Sequence, residues 1–128
     1  MNMLALLAVG VGAAMGAWLR WILGLWLNPI FPTLPLGTLT ANLGGGYVIG
    51  LSIAFFADQP ALSPEWRLLV ITGFLGGLTT FSTFSAEVFT MLARGQWLWG
   101  AIETATHVVG SVSMTALGVL TYKLLRGA

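Results

Sequence analysis

The fold class legible in this sequence is an all-α membrane protein with four transmembrane helices. Two observations predict it. Hydrophobic residues fill 57% of the 128 positions and charged residues 7%, against about 25% charged in soluble domains. The apolar stretches each reach the roughly 20 residues that a helix needs to cross a bilayer, and what separates them is Pro, Gly and short polar loops. A single domain over residues 1–128 accounts for the chain, with no separate module and no low-complexity segment.

The first helix is expected over about 3–27. Its start, MNMLALLAVGVGAAMGAWLRW, has the apolar run and small residues of a signal peptide but no basic leader, and the pattern continues through Trp26. Asn28-Pro29, with Pro32 and Pro35 close behind, stops it. The second helix, about 36–57, ends at Asp58-Gln59-Pro60. Ser63 is placed to cap a third helix over about 65–93, with Pro64 as a natural first residue. Arg94-Gly95-Gln96 interrupts before the fourth, about 97–125.

Charge says which faces meet water. The N-terminus, the loop between helices two and three, and the C-terminus share one side, which carries Arg67, Lys123 and Arg126; the opposite side has Arg94 and, near the end of helix one, Arg20. Basic residues normally hold the cytoplasmic side, so this near tie favours neither insertion direction. The chain is expected to insert both ways and pair antiparallel, unless a helper protein forces one orientation. Gly12 with Gly16, Gly46 with Gly50 and Gly73 with Gly77 are spaced for close helix packing. A net charge of +1 gives no case for nucleic acid, and the absence of cysteine excludes disulfides and thiolate metal sites.

Polar residues inside the spans point to function. Asn42 stands in LTANLGGGYVIG on helix two, either as an interhelical hydrogen bond or as a donor in a pathway. On helix four, Glu103, His107, Ser111, Thr115, Gly118 and Tyr122 fall along one stripe, which serves as glue against another helix or lines a wet route. Within GGLTTFSTFS of helix three, Gly76 and Gly77 followed by Leu78-Thr79-Thr80 are where a spanning helix would unwind, because glycine tolerates non-helical dihedrals and β-branched residues add little propensity. Unwinding would free carbonyl oxygens for a hard cation and turn the N-terminus of a half-helix toward an anion. No acid lies between Gly73 and Ser85, so a monovalent cation fits better than a divalent one. Phe81 and Phe84 share a face, either as packing or as ring edges presented to a small anion.

GGLTTFSTFSAEVF, with GTLTANLGGG upstream, HVVGSVSMTALG downstream and Arg20-Trp21 in helix one, resembles the small bacterial fluoride channels of the CrcB or Fluc type over nearly the whole chain. The resemblance implies an antiparallel, dual-topology homodimer in the bacterial inner membrane, passing fluoride out passively through two pores around a central structural Na⁺. It implies Gly76 and Thr79 as backbone ligands of that Na⁺. Phe81, Phe84 and Asn42 would line the fluoride pore, with Ser82, Thr83, Ser111 and Thr115 as its hydroxyl wall and Glu87 beside it. Arg20 and His107 would face a vestibule. No nucleophile, base and orienting group can be assembled, so an enzyme is not expected. The rival of similar build is a proton-coupled small multidrug transporter, which needs a carboxylate in helix one; this helix one has none. A purely structural subunit is the third reading.

Overall fold

The computed structural model of the chain describes residues 1–127; Ala128, the last residue of the expected domain, lies outside them. Four helices, α1 (Met3–Leu27), α2 (Leu36–Ala57), α3 (Pro64–Ala93, in two halves) and α4 (Trp97–Gly127), are long and apolar enough to cross a membrane. No strand occurs among the described residues. The expected bounds hold to within two residues throughout, because Pro and Gly punctuate the backbone whatever the tertiary context.

Each helix end has a local cause. Asn2 Oδ1 accepts the Ala5 N–H at 2.7 Å and caps α1. At the other end, Asn28 Oδ1 accepts from Gly37 N at 2.7 Å and Thr38 N at 3.3 Å. The residue that closes α1 therefore caps α2, whose own first flanking residue, Pro35, makes no side-chain cap. Ser63 departs from its expected capping role: its hydroxyl bonds to the Glu65 carboxylate, which also accepts from Asn2. α3 ends where Gly95 takes φ 76°, with Gln96 N donating to Met91 O at 2.8 Å and Gly95 N to Leu92 O at 3.0 Å. This left-handed turn satisfies carbonyls the helix would otherwise leave open, and glycine adopts it without strain.

α1 packs along the first half of α3, and α2 along α4. All three glycine pairs serve these contacts within one chain. A Cβ on Gly12 or Gly16 would run into the backbone of Leu69, Phe74 or Leu78, and one on Gly73 or Gly77 into that of Val9 or Ala13. Gly46 and Gly50 meet the backbone of Ser111 and Thr115 in the same way. The fully apolar core is small, centred on Ala41, Leu75 and Leu78, while most large apolar side chains face outward, as lipid requires.

α3 is broken near its middle, as expected, at the Thr79-Thr80 end of the expected stretch. It winds as a π-helix over Leu68–Leu75, returns to α over Gly76–Leu78, is extended at Thr79 (φ −84°, ψ 153°) and Thr80 (φ −151°, ψ 120°), and restarts at Phe81–Ala93. Gly77 stays helical because its missing side chain lets α1 approach. The β-branched threonines accept extended dihedrals readily, and Thr80 recaps the second half by taking the Thr83 N–H on its hydroxyl at 3.1 Å.

Candidate functional site

Broken backbone at bilayer depth needs partners, and Asn42 of α2 supplies them. Its Oδ1 accepts from Thr80 N at 2.7 Å and its Nδ2 donates to Thr80 O at 2.9 Å. The remaining Nδ2 hydrogen points to His107 Nδ1 of α4 at 3.0 Å. This buried amide thus brackets the break and joins three helices. Its orientation follows from its partners, since exchanging O and N would set like against like at both Thr80 groups. Arg20 of α1 donates from Nε to Gly77 O at 3.0 Å, placing positive charge at the carbonyl end of the first half-helix.

The bracket redirects two N–H groups. Thr80 N, which would close a turn on the Gly76 carbonyl, goes to Asn42; Thr83 N, which would close one on the Thr79 carbonyl, goes to the Thr80 hydroxyl. The Gly76 and Thr79 carbonyls thereby lose their usual helical partners. These oxygens are hard ligands of the kind that suits an alkali cation.

Two cavities flank this region. An inner one of about 320 Å³ is lined by Asn42, Thr79, Thr80, Phe81, Phe84, His107 and Ser111 among others. An outer one of about 440 Å³ runs from Pro32 and Thr33 past Arg94 and Gln96 to Thr83 and Glu87. Phe84, buried, stacks on the His107 ring (centroids 4.6 Å, 24°) and meets Phe81 edge-to-face at 5.4 Å and 78°. Phe81 itself is 75% exposed. Glu87 accepts the Thr38 hydroxyl at 2.6 Å.

Most of the residues singled out from the sequence converge here. Asn42, Thr79, Phe81, Phe84, His107 and Ser111 share the inner cavity, and Thr83 and Glu87 the outer. Thr115 lies one turn beyond Ser111 and donates its hydroxyl to Gly46 O and Ser111 O, both at 3.0 Å. Ser82 is exposed, within 3.3 Å of the Thr80 hydroxyl. Gly76 is exposed too. Arg20 lines neither cavity, and His107, 3% exposed, lines the inner one. The sequence marks Thr80 only as part of the break and Thr38 not at all: nothing ties either threonine to a partner until Asn42 and Glu87 are seen to face them. Glu103 was placed on the α4 stripe, but its contact with Glu87 crosses helices and has no sequence signal.

The family model described as "CrcB-like protein, Camphor Resistance (CrcB)" matches residues 7–119. Among curated relatives, a "Fluoride-specific ion channel FluC" of Thiobacillus denitrificans is 62% identical over 97% of this chain and 100% of its own length. Proteins of the same description from Pseudomonas putida (61%, 96% of this chain and 97% of the relative) and Pseudomonas syringae pv. maculicola (59%, 94% and 95%) are similar over comparable spans.

Proposed function

The chain belongs to the CrcB family, and we propose that it is a multi-pass bacterial membrane channel giving passive, selective export of fluoride. One observation carries the assignment beyond family membership. A cavity at bilayer depth is walled by the phenylalanine pair, the Asn42 bracket and the N-terminus of a half-helix, with Ser111 across from them. Hydroxyl and amide groups, ring edges and a positive helix end can replace the water of a small anion. Asn42 reaches fluoride by exchange, because its hydrogens already serve Thr80 and His107. Phe81, Phe84, Ser82, Thr83, Ser111, Thr115 and Glu87 complete the route, which fluoride must bind weakly enough to leave. Arg20 acts from the helix break, holding the Gly77 carbonyl.

The working unit is an antiparallel homodimer in the inner membrane. Support comes from what one chain leaves open. The exposed faces of Phe81 and Gly76 lie beside freed carbonyls that lipid cannot satisfy, and a second copy closes them. A two-fold axis through the break brings together the Gly76 and Thr79 carbonyls of both copies, an all-oxygen, neutral ligand set suited to a structural Na⁺. That ion would contribute positive charge in a dry interior shared with the anion.

Efflux from liposomes holding purified protein, with F⁻ and Cl⁻ compared, tests the function. Rapid fluoride release with chloride retained is expected. Equal release of both, or of neither, would end the proposal.

A further inference from the structure

The fully buried glutamate of α4 has no part in the route so far. Glu103 is 0% exposed, and neither of its oxygens has a hydrogen-bond partner; Glu87 Oε1 and His107 Nε2 are buried and unpartnered as well. These groups face one another, since one ligand-type atom from each of Glu87, Glu103 and His107 lies within 4.8 Å of the other two. Glu87 lines the outer cavity and His107 the inner one. The cluster is therefore the partition between them.

A fully buried carboxylate beside a half-buried one whose inner oxygen is also shielded requires a positive partner. No basic side chain forms an ion pair with them: Arg20 is on the Gly77 carbonyl, Arg94 lines the outer cavity with Glu87 but makes no ion pair with it, and the salt bridge among the described residues is Arg126 with Asp58 at the far end of α4. A metal ion is the first candidate, and His107 argues against it. Asn42 is held by Thr80 so that its N–H faces His107 Nδ1; that nitrogen accepts, and the ring proton sits on Nε2. A protonated Nε2 donates and cannot ligate. A proton, in contrast, fits between two carboxyl groups without asking anything of the histidine.

We propose that Glu87 and Glu103 carry one proton between them, and that this O–H turns from the second carboxylate to an arriving fluoride, so that with the His107 Nε2–H it forms the donor pair that passes the ion from the outer cavity to the inner. The O–H then returns to the pair. The inference rests on the channel reading above. Fluoride accepts both hydrogen bonds and moves on as F⁻, while the proton stays on the pair. Groups facing the pair from α2 are the Thr38 hydroxyl, on Glu87 Oε2, and the Asn42 amide, acting through His107. α3 and α4 contribute Glu87, Glu103 and His107 themselves, Arg94 at the end of α3 faces the outer cavity beside Glu87, and the one titratable side chain of α1, Arg20, is engaged at the break. Losing the proton removes a donor and adds negative charge in the anion's way, so flux must fall as pH rises.

Fluoride flux through reconstituted protein from about pH 6 to about pH 9, where fluoride stays ionised, reads this directly; a single required proton gives a decline approaching about tenfold per pH unit. Glu103→Gln keeps the shape and replaces the shared O–H with a fixed N–H, so its flux should be flat over the same range. Infrared spectra of the wild-type protein should contain a protonated-carboxyl band that is absent from Glu103→Gln, with gel filtration verifying that the variant assembles normally. A pH-independent wild-type flux, a band unaffected by the substitution, or a stoichiometric metal ion lost with Glu103 would each overturn the proposal. If fluoride passes at no pH while the band behaves as expected, the channel reading fails and the shared proton stands.

Discussion

Phe84 and Phe81 occupy different environments, although their spacing on α3 is that of a packed pair. Phe84 is 6% exposed and clamped between Phe81 and His107, whereas Phe81 is 75% exposed in one chain. If ring edges serve the anion, Phe81→Ile and Phe84→Ile keep apolar bulk and lose the edge. Fluoride flux should drop by an order of magnitude or more while gel filtration shows the same oligomeric state as wild type; undiminished flux would return the pair to packing. Asn42→Ala should lower both fluoride flux and stability. It strips partners from both Thr80 backbone groups and from His107, at about 1–3 kcal/mol for each buried group left unsatisfied. Thermal unfolding in detergent should therefore move to lower temperature together with the loss of flux. A variant as stable as wild type would mean that the bracket is not what holds the break.

Glycine placement decides the helix pairs. Gly16 and Gly10 lie on the same helix, but an added methyl on Gly16 meets the backbone of Phe74 and Leu78, and on Gly10 it meets nothing. Gly16→Ala should separate α1 from α3 and cost several kcal/mol by the overpacking route, whereas Gly10→Ala should gain up to about 1 kcal/mol from helix propensity. Comparing thermal midpoints of the two proteins checks this. Equal midpoints would mean that the helices do not meet where the glycines place them. The same logic explains why α3 unwinds at Thr79-Thr80: Gly77 is fixed by contact with α1, and the extended dihedrals pass to residues whose N–H and C=O groups Asn42 can reach.

The proposed antiparallel dimer makes two predictions at the scale of the whole molecule. Adding a few lysines to one set of loops should bias insertion, so that each biased variant is inactive alone and the oppositely biased pair is active when co-expressed. Full activity from one biased variant by itself would rule out antiparallel pairing. Replacing Na⁺ by a large organic cation, with long equilibration, should lower fluoride flux if the Gly76 and Thr79 carbonyls of both copies hold an ion. Flux indifferent to Na⁺ would leave those carbonyls to water or to the partner chain.

From the sequence by itself came the solvent, the number of spans and almost every helix boundary. Each depends on local chemistry: apolar length, proline's missing N–H, and the left-handed turn that Gly95 takes. The break and its neighbourhood were legible too, because hydroxyls and glycines are conspicuous in an apolar segment. The tertiary structure alone decided how these pieces are used. Asn42, open in sequence to several roles, became the bracket of the break because α2 brings it opposite Thr80, a residue 38 positions away. The glycine pairs, equally able to join two chains, pack helices inside one. Glu103 and His107 are one helical turn apart and could be paired on paper, but Glu87 joins them only where α3 crosses α4. Periodicity reports which residues share a face; which faces meet is set by packing between segments distant in the chain, and no local rule encodes it.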